Sequence, residues 1–379
     1  MHVASLPGTL EIDVTLAHGQ IRSADIYSSR NTGLASHFIG KTGGEIPQRV
    51  RQLFSLCGQA QMAAARMAID HALGNARPRE SMVGADLGVQ AERSLEILRS
   101  CLLFWPWGDA RQTALEAAAA PLHVAAQATN TIITKAGEGL GSANRALILA
   151  ALDPLQGAAQ ALGLTLDPNE GSHPEPWPGS VFATLLAQCD QDIFLAVSPP
   201  DALTAVDDEA VIAALQADPE EFAARPALKG RRIETGAYAR LWDRELAGTS
   251  FQAGRFLARL RDLRNCLATL RGAAKTGDAD MSTSLSGGEA GPGQGFGVVE
   301  CARGRLYHLA SVDANACIKA YAIVAPTEWN FHPAGPFVEA LHHVRFAPGA
   351  QRATAIARMA ATFDPCTAFE ITLREAAHA

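Results

Sequence analysis

Near the start of the chain apolar and polar positions alternate, Leu10, Ile12, Val14 and Leu16 against Glu11, Asp13 and Thr15. A second extended stretch, 21–27, follows His18-Gly19, so the pattern predicts a β-hairpin over about residues 9–28 with one buried face. Residues 31–41 read as a polar connection with a short helical segment around 34–39. Gly43-Gly44 then punctuates, and Pro47 suits a first helical turn. Beyond it the period changes. Val50, Leu53, Phe54, Cys57, Ala60, Ala64, Met67 and His71 recur at helical spacing and predict one helix over about 47–73, with Cys57 on its inward stripe.

Further helices are predicted at about 89–104, 112–130, 143–161, 180–187 and 207–216, separated by proline-rich breaks. The break at 167–178 reads as a surface loop, and His173 within it as a surface histidine. A longer helix is predicted over 238–271, with Gly248 as its natural interruption. There Phe256, Leu257, Leu260, Leu263 and Leu267 form a core stripe, while Arg255, Arg259, Arg261, Asp262 and Arg264 read as a solvated face. Residues 273–297 are rich in glycine and serine and read as an exposed loop; Gly291–Gly297 lacks the Lys-Ser/Thr and following helix of a phosphate-binding loop. Three antiparallel strands follow, at 298–302, 306–312 and 318–325. Helices at 337–343 and about 350–362 then deliver the chain to Asp364-Pro365-Cys366. Pattern alone therefore gives a helix-rich α+β fold.

Composition narrows the function. With 379 residues and 48% hydrophobic content the chain can bury a large core. A net charge of −7 and the lack of a basic stripe argue against a nucleic-acid partner. No apolar run reaches membrane-spanning length, since 114–126 is broken by Glu116, Pro121 and His123. The N-terminus shows no secretory signal, and a cytoplasmic, membrane-free location is expected. Seven cysteines without any CxxC pair fit a reducing compartment and exclude the common zinc spacings.

Two of those cysteines sit in distinctive frames at opposite ends of the chain: Cys57-Gly58, and Asp364-Pro365-Cys366. Taken alone, Cys57 reads as a core cysteine. Between them lie Glu234-Thr235-Gly236-Ala237-Tyr238-Ala239-Arg240, then Glu300-Cys301-Ala302-Arg303-Gly304, then Pro326-Thr327-Glu328-Trp329-Asn330. In this order the five segments resemble landmarks of the large subunit of nickel–iron hydrogenases. In that family Arg-x-Cys-Gly-x-Cys-x-x-x-His and Asp-Pro-Cys-x-x-Cys-x-x-His supply four thiolates to nickel, two of which bridge to an iron bearing cyanide and carbon monoxide. Here Ala60 and Phe369 stand where the bridging cysteines would be, and Ala64 and Thr372 where the histidines would be. A chain degenerate in this way is similar to the HupK/HoxV group of hydrogenase assembly proteins.

The resemblance implies a fold like the hydrogenase large subunit over 1–379 as one domain: hairpin, helical core over about 47–271, β-rich segment over about 298–326, and C-terminal helix and cysteine motif over about 337–379. Small antiparallel sheets accompany the helices. It implies a scaffold rather than an enzyme, holding an Fe(CN)2(CO) fragment transiently on Cys57 and Cys366, with neither nickel nor magnesium. Arg303, Thr327, Pro326 and Glu300 would form the pocket for the cyanide and carbonyl ligands. Outside the resemblance, Arg303 reads as a polar turn residue, Thr327 as a strand terminus and Glu300 as a surface carboxylate. Cys301 and Cys317, on neighbouring strands, are candidates for a third sulfur. The implied partners are an iron-carrying maturation chaperone and the hydrogenase large-subunit precursor. With seven residues after Thr372, no C-terminal processing is expected. A metal-free interaction chaperone and a divergent redox enzyme are the alternatives.

Overall fold

The computed structural model describes residues 8–30, 32–166, 174–190, 193–194, 199–346 and 351–376; His173 and part of its loop lie outside them. The alternating segment forms β1 (Leu10–Ala17), which turns through His18 and Gly19, both at positive φ, into β2 (Gln20–Ser28). Positive φ at both central positions matches the right-handed twist of the hairpin. A 3-10 segment, Thr32–Phe38, precedes α1 (Ile46–Leu53), and α2 (Gly58–Ala72) follows. The single helix expected over 47–73 is therefore two. The chain leaves helical geometry at Phe54 (φ −110°, ψ 81°), and Cys57 is the N-cap residue of α2 rather than part of an inward stripe.

Next come α3 (Arg79–Leu103), α4 (Arg111–Gly137), α5 (Ser142–Leu162) and α6 (Val181–Cys189). A two-residue strand β3 (Ile193–Phe194) and β4 (Asp201–Ala202) lead to α7 (Asp208–Ala217), α8 (Pro219–Ala224) and β5 (Ile233–Glu234). The helix expected over 238–271 is divided into α9 (Ala237–Leu241), α10 (Arg244–Ala247) and α11 (Phe251–Thr276). Leucines and alanines of α3, α4, α5, α6 and α11 pack into the largest core cluster.

The glycine-rich stretch expected as a loop runs from the end of α11 into β6 (Leu285–Gly291) and the start of β7 (Gln294–Cys301). With β8 (Gly304–Val312) and β9 (Ile318–Val324) these make a four-stranded sheet in the order β6-β7-β8-β9. Its glycines allow close approach rather than turning. A Cβ on Gly295 would meet Ala68 O at 2.4 Å, and one on Gly297 would meet Ala64 O at 2.2 Å, so β7 lies directly on the backbone of α2. The chain ends through α12 (Pro326–Asn330), α13 (Pro336–His342), β10 (Val344–Arg345), α14 (Arg352–Phe363) and β11 (Phe369–Glu375).

The sheets are not all antiparallel as expected: β11 runs parallel to β1, with Leu10 opposite Phe369 and Leu16 opposite Glu375, and β4 runs parallel to β5. A parallel neighbour needs a long crossover, and here nearly the whole chain supplies it. Pairing the two ends this way fixes the Asp364–Cys366 segment against the molecule. No helix among the described residues is long and apolar enough to cross a membrane.

Three residues of the charged face of α11, Arg255, Arg259 and Asp262, are buried rather than solvated, while Arg261 and Arg264 are half-buried. Arg255 is 2% exposed and donates to both carboxylate oxygens of Glu234 at 2.8 and 2.7 Å. Arg259 lies 3.4 Å from Asp364. Asp262 accepts from Arg93 Nε at 2.9 Å and from Arg240 at 2.7 Å. The helix is covered on both sides, so its polar stripe must be paired inside. Removing one member strands the other: Glu234→Ala is expected to lower unfolding free energy by about 3–5 kcal/mol in urea titrations.

Candidate functional site

One face of α3 carries Glu92, Glu96 and Ser100 at successive turns, and each holds a different segment. Glu92 accepts the backbone N–H groups of Gln59 at 2.6 Å and Ala60 at 3.0 Å, the open donors at the start of α2 just after Cys57. Glu96 accepts from Arg303 at 3.4–3.5 Å. Ser100 donates to Asp364 at 3.3 Å. Asp364 caps α14 at φ 53°, a left-handed value that Asp tolerates better than most residues, and lies 3.5 Å from Arg303 as well. Asp364 thus turns the chain sharply into Pro365-Cys366.

Both Cys57 and Cys366 line one cavity of about 540 Å³. Cys366 accepts the Thr327 hydroxyl at 3.2 Å and donates its backbone N–H to the same oxygen. Cys57 accepts from Gln61 Nε2 at 3.8 Å. Burial pushes the Cys57 thiol well above its usual value; Cys301, Cys366 and Glu92 push the same way, and Arg303 opposes them. Arg303 sits within electrostatic reach of both sulfurs but is not part of the cavity wall. Its ion pairs to Glu96 and Asp364 are long, and Nε has no hydrogen-bond partner.

The remaining site expectations divide. Thr327 bonds to Cys366 from the first turn of α12, not from a strand end, and Pro326 opens that helix as a buried N-terminal residue. Glu300 is directed elsewhere: it pairs with Arg240, lies 3.8 Å from Arg305, and is 4% exposed rather than a surface carboxylate. Cys301 packs in the same apolar cluster as Cys57 and lines a small void with it; burial lifts its thiol to about 12. Cys317 does not join them. Cys301 pairs with Gly304 at one end of β8, whereas Cys317 precedes Ile318, which pairs with Val312 at the other. Eight residues of strand separate the two ends, roughly 25 Å.

Two wall residues had no signal in the sequence. Arg30, just past β2, forms an ion pair with Glu328 of α12, and both face the cavity. Arg30 also lies within electrostatic reach of Cys57 and Cys366. The rest of the wall is mostly apolar, including Leu34, Leu53, Phe54, Phe104 and Ile323. Among the described residues no three His, Cys, Asp or Glu side chains converge as a metal-binding group.

The positions expected to have lost their cysteines are filled without gaps. Ala60 is fully buried in α2, and Phe369 opens β11 opposite Leu10 and packs on the hydrophobic core. Thr372 is exposed on β11, opposite Asp13.

A hydrogenase expression/formation protein HupK from Rhizobium leguminosarum bv. viciae is 41% identical over 372 residues, 98% of each chain. The chain belongs to the HupK/HoxV family of hydrogenase expression/formation proteins. The HoxV of Cupriavidus necator, a more distant relative in that family, is 28% identical over 357 residues, 89% of each chain. The nickel-dependent hydrogenase family model matches residues 246–371, which include Arg303, Thr327 and Cys366 but not Cys57. A [NiFeSe] hydrogenase of Desulfovibrio vulgaris Hildenborough superposes with a TM-score of 0.63 at 15% identity, over 96% of this chain and 99% of the other. An NAD+-reducing [NiFe]-hydrogenase gives 0.56 at 16%, over 92% and 93%. The HupK/HoxV fold here is thus that of the nickel–iron hydrogenase large subunit, mostly helical with small sheets.

Glu92 supplies a pH test of this architecture. Burial raises its pKa from an ordinary 4.5 to about 7, against the pull of the two backbone N–H groups. The folded state therefore holds this proton more tightly than the unfolded chain, and stability declines as pH rises from 4.5 to about 7. In Glu92→Gln that decline is expected to disappear, so the stability difference between variant and wild type changes across this window and levels off above it. Urea titrations at stepped pH check it; parallel curves would refute the assignment.

Proposed function

We propose that this protein is a non-catalytic carrier in hydrogenase maturation, holding an iron–dicyanide–carbonyl fragment between Cys57 and Cys366 before passing it to the large-subunit precursor. The observation that carries this reading is the meeting of two thiols from opposite ends of the chain on one cavity, in a member of a hydrogenase expression/formation family. Soft thiolates suit such a low-valent iron centre. A fragment that brings three diatomic ligands of its own asks for few protein donors, so two sulfurs fit the cargo although no three-residue cluster is present among the described residues.

Charge supports the same reading. With two thiolates bound, the iron fragment becomes a dianion. Arg30 and Arg303 lie within electrostatic reach of both sulfurs, and Arg303 Nε, 3.5 Å from Asp364, makes no hydrogen bond. Buried cyanide nitrogens need such donors, because an unmatched acceptor costs about 1–3 kcal/mol or more. With Ala60 and Phe369 in place of two bridging sulfurs, nickel has no second pair of ligands at this site. Hydrogen cleavage is accordingly not expected. The cargo's donor would be an iron-carrying maturation chaperone, reaching the sulfurs from the open cavity.

A metal-free chaperone is the second reading, favoured by the lack of a three-donor cluster among the described residues. Infrared spectroscopy of protein purified from a host making the maturation machinery separates the two. The carrier reading expects cyanide and carbonyl stretching bands that vanish in Cys57→Ser and Cys366→Ser. Folded wild-type protein without such bands under those conditions would leave the metal-free reading.

A further inference from the structure

Gln61 lies one turn after Cys57 on α2 and is 1% exposed, with Nε2 3.8 Å from the Cys57 sulfur. Its Oε1 lies 2.8 Å from His308 Nε2, and His308 Nδ1 lies 2.7 Å from the Tyr321 hydroxyl. His308 is on β8 and Tyr321 on β9, so a line of polar contacts runs from the sheet through α2 to the cysteine. Both residues are buried, His308 completely.

The line has one direction. An amide nitrogen donates and never accepts, so Gln61 donates to sulfur. Its Oε1 must then accept, which places the histidine proton on Nε2. Nδ1 is left with its lone pair and accepts the Tyr321 O–H. Burial lowers the His308 pKa to about 3, so the ring stays neutral and carries the single N–H this arrangement requires. Every donor points towards Cys57. Cys366 has a matching donor of its own in the Thr327 hydroxyl.

We propose that Gln61 is a positioning residue for Cys57, held in one amide orientation by His308 and Tyr321 so that its N–H stabilises the sulfur as a metal-bound thiolate. The proposal rests on the carrier reading only in taking Cys57 as a metal ligand. It adds that the two sulfurs are held by different means: Cys366 by a local hydroxyl, Cys57 by a chain reaching into the sheet. A thiolate that accepts a hydrogen bond is a weaker electron donor to its metal, and charge-assisted bonds of this kind are stronger than neutral ones.

Cobalt(II) tests it without the iron fragment. Wild-type protein titrated with cobalt(II) is expected to show a thiolate-to-cobalt charge-transfer band that is lost in Cys57→Ser. Gln61→Met keeps the side-chain length and removes the donor. It is expected to move that band to lower energy and weaken cobalt binding roughly tenfold, the loss of one hydrogen bond to a charged acceptor. Tyr321→Phe should move the band the same way by less, and it remains informative if Gln61→Met fails to fold. A wild-type band and affinity in folded Gln61→Met, or in Tyr321→Phe where Gln61→Met does not fold, would overturn the positioning role. So would a wild-type protein with no Cys57-dependent band. Missing cyanide and carbonyl bands alongside a Cys57-dependent cobalt band would instead remove the carrier reading and leave this one standing.

Discussion

The structure around both cysteines depends on one buried polar stripe along a single helix. Glu92, Glu96 and Ser100 lie on one side of α3 over about 12 Å of helix axis. They hold, in turn, the start of α2 after Cys57, the guanidinium of Arg303, and Asp364 before Cys366. None of these three segments is near another in sequence, and α3 is the element that touches them all. Buried carboxylates are costly unless each is matched, so the stripe specifies where its partners must lie. A shift of α3 by one turn would face Arg303 with Ser100 in one direction, or the start of α2 with Gly88 in the other, so only one register matches all three segments.

The segments that resemble the hydrogenase large subunit are tied to one another in the same manner. Thr235 donates its backbone N–H to Asn330 Oδ1 and accepts the Asn330 amide on its carbonyl, while its hydroxyl accepts the Arg305 N–H. Gly304, at φ 124°, leaves no room for a side chain beside Thr235, whose Oγ1 would meet a Cβ at 2.2 Å. Glu234, next to Thr235, neutralises Arg255. These motifs are joints of the scaffold before they are anything else. That explains how the fold survives when Ala60 and Phe369 occupy the places expected for bridging cysteines: both positions are tied through their backbones, and neither side chain takes part in the joints.

How much of this could be read from the sequence depended on whether the cause was local. The hairpin was legible because its alternation and its His18-Gly19 turn are local, and helices α4 to α7 were legible from period and breaks. The strand β11 was equally legible in the alternation of Phe369, Ile371 and Leu373 with Glu370, Thr372 and Arg374, and was missed. The break between α1 and α2 was hidden, because Leu53, Phe54 and Cys57 keep a helical spacing that the backbone does not follow. The charges of α11 were misassigned for a different reason. A polar stripe looks the same whether it meets water or buried partners, and Glu234, Arg93 and Asp364 are distant in sequence. At the site, the resemblance selected Cys57 and Cys366, which line one cavity, and Thr327, which donates to Cys366. It also selected Glu300, which is bound to Arg240 instead. Arg30 and Glu328 are 298 residues apart and had no pattern to betray them.

Under the proposed reading, the balance between holding and releasing a cargo follows from what surrounds the two sulfurs. On the inner side the ligands are rigid: Cys57 is fixed at a helix start by Glu92, and Cys366 lies between an αL aspartate and a parallel strand. On the outer side stands a cavity of about 540 Å³, far larger than three diatomic ligands need, with apolar walls and one ion pair. Four thiolates around two metals would make a closed centre whose loss requires breaking several bonds in concert. Two thiolates and three diatomic ligands would leave a six-coordinate iron one position for an incoming ligand, so exchange could proceed one bond at a time. Rigid sulfurs lower the entropy lost on binding, and the short ligand count limits affinity. A site built this way binds its cargo selectively without binding it permanently, and that is what transfer to a second protein requires.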